Sequence, residues 1–244
     1  MHPEPIIEIR KLKEINIEGG VVFDGFHGFG LTSTIAIGCF INSLKTELVG
    51  ILDSTLFPPM SVIYNAKPHF PARIYANEEK KLAFFVSEAI LESSAYRHIA
   101  HTMLNWSIYN KCKTVISVAS REIEKDRTKK DPALYVISNS QNKMKELNDI
   151  GILSLKNGTV NGIPGILLNE STWKNIDVIV FVVDVISGVP DFRAAASVAQ
   201  VVSKIVPEAY CEIKPLIKEA ENIENNLKMI RSQTSNNFKE RMYR

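Results

Sequence analysis

The chain has three cysteines in 244 residues, and no two of them stand in C-x-x-C spacing. Cys39, Cys112 and Cys211 are odd in number and far apart. That excludes zinc-ribbon and thioredoxin-type chemistry, argues against a disulfide framework and leads us to expect a reducing, cytoplasmic setting. There is no G-x-S-x-G elbow, and no Lys-Ser/Thr pair follows the glycine loop, so neither an α/β-hydrolase nor a P-loop nucleotidase is readable. No apolar run reaches the length of a membrane span. The polar start, Met1-His2-Pro3-Glu4-Pro5, has no signal-peptide core. Charge of one sign is also wanting. The 29 Lys and Arg face 27 Asp and Glu, for a net charge of +2, which gives nucleic acid or an anionic membrane no electrostatic footing.

Apolar residues make up 45% of the chain, enough for a sizeable core in one large domain or two small ones. Short β-branched and aromatic runs alternate with helical patterns. Val21-Val22-Phe23, Leu48 to Leu52, Thr114 to Val118, Leu134 to Ile137 and Asp177 to Val183 read as strands. The last is apolar without interruption, as suits a strand covered on both faces. Val62-Ile63-Tyr64, Arg73-Ile74-Tyr75 and Leu82 to Val86 read as an antiparallel meander. Leu31 to Leu44 reads as a buried helix, Ala95 to Tyr109 as another, and Arg121 to Asp131 as a charged loop. A helix runs from Pro190-Asp191 to Ile205, with Asp191 as its N-cap. The alternation predicts an α/β sandwich, with helices on both sides of a mixed sheet.

One loop has the position of a ligand site. Asp24-Gly25-Phe26-His27-Gly28-Phe29-Gly30 follows a strand and opens a helix, where phosphate and dinucleotide sites are built. Asp53 follows at the end of the next strand, where a ribose-binding acid would sit. The glycine order is G-x-x-G-x-G, however, and Phe26 and Phe29 would crowd a pyrophosphate, so the loop is expected to be structural and empty. His98 and His101 lie one helical turn apart without a third ligand, which predicts a solvated face rather than a metal site. His27 and His69, beside aromatic or proline residues, read as packing groups. No cofactor and no metal is expected.

Beyond Pro207 the pattern changes. Ile213, Leu216, Ala220, Ile223, Leu227 and Ile230 recur at spacings of three and four, a narrow seam that needs a partner, either the chain's own body or another copy. Ser232 to Asn237 reads as a flexible linker. The expected organisation is an α/β domain over 1–207, a heptad helix over 208–231 and a tail over 232–244. Fully extended, that tail would reach about 40 Å. It ends in Met242-Tyr243-Arg244, which places a carboxylate that a basic pocket can capture beside an aromatic ring that can anchor it.

Four segments occur in an order that resembles the archaeal branch of the proteasome assembly chaperone 2 family. They are Gly25-Phe26-His27-Gly28-Phe29-Gly30 with Thr34-Ile35-Ala36, then Phe57-Pro58-Pro59, Gly162 to Leu168, and Gly188-Val189-Pro190-Asp191-Phe192-Arg193-Ala194-Ala195. The resemblance spans 19–231. It implies a three-layer α/β sandwich similar to the nucleoside phosphorylases, with a C-terminal helical extension, homo-oligomers, and handling of the core proteasome without chemistry of its own. Gly25, Phe26, His27, Gly28, Gly30, Pro190, Asp191 and Arg193 would be structural motif residues. The ending matches the hydrophobic-tyrosine-any tripeptide that some members dock between adjacent α-subunits of the core proteasome. Met242 would pack, Tyr243 would fill the pocket, and Arg244 would present its carboxylate to a lysine. The other reading is an enzyme or nucleotide-binding protein with its site at Gly25 to Gly30.

Overall fold

The structure, a computed structural model, describes residues 7–123, 131–186 and 188–223, with Phe29 described by its backbone alone. Among them, nine strands form one mixed sheet in the order β1 (Glu8–Lys11), β3 (Glu47–Asp53), β6 (Ala72–Asn77), β7 (Leu82–Ser87), β2 (Val21–Gly25), β8 (Thr114–Ile123), β11 (Asp177–Ile186), β9 (Leu134–Ser138) and β10 (Leu153–Ser154). The centre is parallel: β7, β2, β8 and β11 run side by side. The flanks contain the antiparallel pairs β1/β3, β3/β6, β6/β7 and β11/β9.

Side chains of successive strand residues point to opposite faces, and this divides the core in two. Val22, Phe85, Val115 and Val180 enter one cluster, where α2 (Ser93–Tyr109) and α4 (Gly162–Ser171) supply Ile99, Met103, Ile163 and Leu167. Phe23, Phe84, Ile116 and Phe181 enter the other, where α1 (Thr32–Ser43) and α5 (Phe192–Ile205) supply Ile37, Phe40, Val198 and Val202. Phe23 stacks on Phe84 at 5.0 Å between ring centroids, and across the sheet Phe85 meets Trp106 edge-on at 5.2 Å. The uninterrupted Val-Ile run of β11 is apolar throughout because it faces both clusters. The helix α3 (Gln141–Asp149) adds Leu147 and, partly buried, Met144 to the second cluster.

Three expectations change. The meander is β3, β6 and β7. Val62–Tyr64 (β4) leaves the sheet and pairs with Lys67–His69 (β5) in a separate exposed hairpin. Asn65 and Ala66 turn it with φ of 49° and 58°, the two left-handed residues that a two-residue hairpin requires. The charged loop begins later than expected, because β8 continues to Ile123 and Arg121 binds Asp184 of β11 through two hydrogen bonds of 2.6 and 3.1 Å. The rest of that loop, 124–130, lies outside the described residues.

The third change is a disulfide. Cys39 on α1 bonds to Cys211, 172 residues away, with their Cα atoms 5.6 Å apart. The odd count misleads because Cys112 is a separate, buried thiol whose pKa burial alone pushes up to about 12. The pairing is tertiary in origin. Helices α1 and α5 pack side by side, and the chain leaving α5 passes Pro207 and turns back over α1. Residues 214–223 are then helical. Ile213 and Leu216 pack on the second cluster, Ala220 is buried, and Glu221 comes within 3.9 Å of Arg193. Ile213, Leu216 and Ala220 of the seam therefore lie against the chain's own body, while Ile223 is partly buried. Leu227 and Ile230 lie outside the described residues.

Candidate functional site

The glycine loop emerges at the carboxyl end of β2. The β2/β8 pairing runs only from Val21↔Thr114 to Phe23↔Ile116, while β8 continues to Ile123 and β11 to Ile186. The loop fills the step left by the shorter strand. The crossover from β2 through α1 leads to β3 on one side, and that from β7 through α2 leads to β8 on the other. The chain thus changes direction where ligands bind in open α/β sheets.

Two of the loop's glycines are needed for packing. A Cβ on Gly25 would sit 2.8 Å from the Phe85 carbonyl oxygen. Gly30 has φ of 66°, and a Cβ there would press on Asp191 and Val185 at 3.3 Å. Gly28 differs: its backbone is extended, and a Cβ would meet only Ser120 Oγ, at 3.7 Å. Phe26 turns into the first core cluster, so it does not stand in the loop mouth.

Asp191 joins two segments that are far apart in sequence. Its backbone N–H donates to the Gly30 carbonyl at 2.8 Å, its Oδ1 accepts the Ala194 N–H at 2.9 Å as the α5 cap, and its Oδ2 accepts the Ile186 N–H at 3.0 Å. Arg193, in the first turn of α5, is buried and faces Glu221. Pro190 immediately precedes the cap. The glycine loop and the Gly188–Ala195 segment therefore form one structural unit at the ends of β2, β8 and β11.

Polar groups are buried in this unit. Asp24 is 3% exposed; its Oδ2 accepts the Ser117 hydroxyl at 2.7 Å and its Oδ1 accepts the Phe26 N–H at 3.1 Å. Desolvation pushes its pKa up to about 6, against the pull of both hydrogen bonds. Burial lowers the His27 pKa, opposed by a hydrogen bond to the Ser87 backbone and by Glu88 nearby. Three buried atoms bordering the loop have no hydrogen-bond partner among the described residues: His27 Nδ1, Thr32 Oγ1 and Ser120 Oγ. Neutral imidazole nitrogen and hydroxyls can hold a small polar molecule by hydrogen bonds.

Asp53 cannot serve this loop. Strands β6 and β7 separate β3 from β2, and Asp53 accepts a 2.7 Å hydrogen bond from Arg10. His101 Nε2 lies 3.4 Å from Glu170, which Arg97 also contacts at 2.9 Å. Among the described residues, no group of three or more His, Cys, Asp or Glu is placed to hold a metal, and no helix is long and apolar enough to cross a membrane. The Asp24–Ser117 pair went unread in the sequence, although an acid ending an apolar strand is a usable signal. Ser120 and Thr32 carry no such signal.

Residues 22–231 match the PAC2 family. The chain belongs to that family. This PAC2 protein is similar in structure to PbaA of Pyrococcus furiosus, an archaeal homolog of proteasome-assembly chaperone. The identity is 29%, the TM-score is 0.83, and the match covers 94% of this chain and 93% of that one. It shares its fold with PbaB of the same organism, an archaeal proteasome activator, at 17% identity and a TM-score of 0.81 over 93% of this chain and 99% of that one. A PAC2 relative in sequence is an uncharacterized protein of Methanocaldococcus jannaschii, 27% identical over 221 residues, which are 90% of this chain and 89% of that protein. Met242, Tyr243 and Arg244 lie outside the described residues.

Proposed function

We propose that the protein is a cytoplasmic, homo-oligomeric adaptor without enzymatic activity, which docks its C-terminal tail into pockets between α-subunits of the core proteasome as an assembly chaperone or activator. The observation that carries this reading is the ending Met242-Tyr243-Arg244 on a PAC2 chain. The likeness to PbaA supports a proteasome connection. Tyr243 would insert its ring, Met242 would pack beside it, and the Arg244 carboxylate would meet a basic group. The helix at 214–223, seated on the body, offers a fixed root for the chain that follows. One short tail binds weakly; several on one oligomer facing a ring of pockets bind by avidity. Nucleic acid and membrane are not partners in this reading. The test is capture of core proteasome by the full chain and by a chain lacking Met242 to Arg244. Equal capture by both refutes tail docking.

A second reading has one observation in its favour, the partnerless polar atoms of His27, Thr32 and Ser120. It makes the Gly25 to Gly30 loop a small-ligand site on the enzyme or nucleotide-binding model. Hydroxylated, uncharged ligands suit these groups. Thermal shift against nucleosides, nucleotides and inorganic phosphate tests it. A saturable shift that is lost in Ser120→Ala supports the reading, and the absence of any shift removes it.

A further inference from the structure

We propose that the Cys39–Cys211 disulfide is a reducible clamp that holds the root of the C-terminal helix on α1, so that a dithiol reductant frees that helix from the body. The clamp's position carries the inference. Cys211 stands three residues before the helix at 214–223, and Cys39 lies on α1 in the second layer. The other described attachments of this segment are non-covalent. Ile213 and Leu216 are only partly buried against the second cluster, Ala220 contributes a single methyl group, and the Arg193–Glu221 contact at 3.9 Å has a half-exposed carboxylate. Over the described residues 214–223 the buried stripe is narrow, and such a stripe holds a helix weakly without a tether. By contrast, α1 and α5 are fastened to the sheet by Ile37, Phe40, Val198 and Val202, all buried, so reduction leaves the sandwich intact.

The two sulfurs are unequally accessible. Cys211 is buried and Cys39 only partly so, and the incoming thiolate therefore attacks Cys39 Sγ. The sulfur–sulfur bond breaks, Cys211 leaves as a thiolate and takes up a proton, and Cys39 is held in a mixed disulfide with the reductant. The reductant's second thiol then displaces Cys39, which leaves as a thiol. Two electrons and two protons have passed to the protein, and the reductant has become a disulfide. Cys112 does not interfere: it is buried, and its thiol is held protonated by its surroundings, so it is a poor nucleophile for exchange. The switch therefore returns to the same pairing on reoxidation.

Any effect on proteasome docking rests on the tail reading above, but the clamp itself is tested without it. Thiol titration of the denatured, unreduced chain should find one free thiol, rising to three after dithiothreitol. Hydrogen exchange of the full chain should show amides of 214–223 exchanging about tenfold faster or more after reduction, while those of β2, β8 and β11 remain the most protected in the chain. Cys39→Ser should exchange fast already and ignore dithiothreitol; Cys112→Ala should behave as the unmodified chain. If Cys39→Ser does not fold, the reduced unmodified chain gives the same comparison. Three free thiols without reductant, or equal exchange in the oxidised and reduced chains, overturns the proposal. Core-proteasome capture by oxidised and reduced protein is read separately. Unchanged capture with altered exchange leaves the clamp standing and removes only its influence on docking.

Discussion

The two ends of the second layer are held in opposite ways. At the carboxyl end of β2, the glycine loop is fixed by backbone contact. Gly25 lies against the Phe85 carbonyl, Gly30 against Asp191, and the Asp191 side chain caps α5 while binding β11. Past Pro207, the described chain is held by one covalent bond, the buried Ala209, Cys211 and Ala220, two partly buried apolar side chains, the Ser203 hydroxyl on the Ala209 carbonyl and the Arg193–Glu221 pair. The first region distributes its stability over many local constraints that no single partner controls. The second concentrates it in a bond that chemistry can break. A segment that must present something to a partner is better suited by the second arrangement, because low local stability is what allows an element to move.

The sharpest break in this comparison is expected at the chain end. If the tail docks as proposed, Tyr243→Ala should cost about 2 kcal/mol or more per tail, and several tails would multiply the loss until capture of core proteasome is undetectable. Residues added after Arg244 should do nearly as much damage, and Arg244→Ala much less. Circular dichroism should be unchanged in all three. The same avidity requires a light-scattering mass several times the 27.4 kDa of one chain. A monomer at micromolar concentration contradicts it.

Next in size is loss of the disulfide. Closing a loop of this length corresponds to about 5 kcal/mol in the chain-entropy limit and typically 2–4 kcal/mol in practice. Urea melts of oxidised and reduced protein should differ by an amount in that range. The glycine-loop region has its own handle in pH. Asp24 is pushed up to about 6 when folded, above its unfolded value, so the folded state holds the proton more tightly. Its stabilising contribution is therefore full below about pH 4 and is lost as pH rises through about 6, amounting to roughly 3 kcal/mol. Asp24→Asn should flatten that part of the stability profile relative to the unmodified chain. A parallel profile in the variant would show that Asp24 is not the group responsible.

The smallest effects separate one glycine from another. Gly25→Ala forces a methyl against a carbonyl and should cost about 1–3 kcal/mol in urea melts. Gly28→Ala meets only Ser120 Oγ in ordinary contact and should stay within about 0.5 kcal/mol. Equal losses would mean that the loop is under a constraint other than packing.

Much of this was legible in one dimension. The apolar runs of β7 and β11, the Asp191 cap of α5 and the extent of α1 follow from side-chain patterning and from local hydrogen bonding, which act over a few residues. The Gly25 to Gly30 and Gly188 to Ala195 segments were recognisable by resemblance, but their meeting through Asp191 was not. The Val62–Tyr64 strand was legible as a strand, although its departure from the sheet was not, because pairing depends on which edge is reached after Pro58-Pro59 and Pro68.

By itself, the sequence determined the central strands, the helices α1, α2 and α5, and that the chain is a PAC2 protein, since these depend on patterns a few residues long repeated in order. Tertiary structure alone decided that Cys39 meets Cys211, that Asp53 lies three strands from the glycine loop, and that His27, Thr32 and Ser120 gather around that loop with unmet polar atoms. The reason is physical. Contacts between residues 172 apart are set by how layers stack and in which order strands join the sheet, and local propensity carries no information about either.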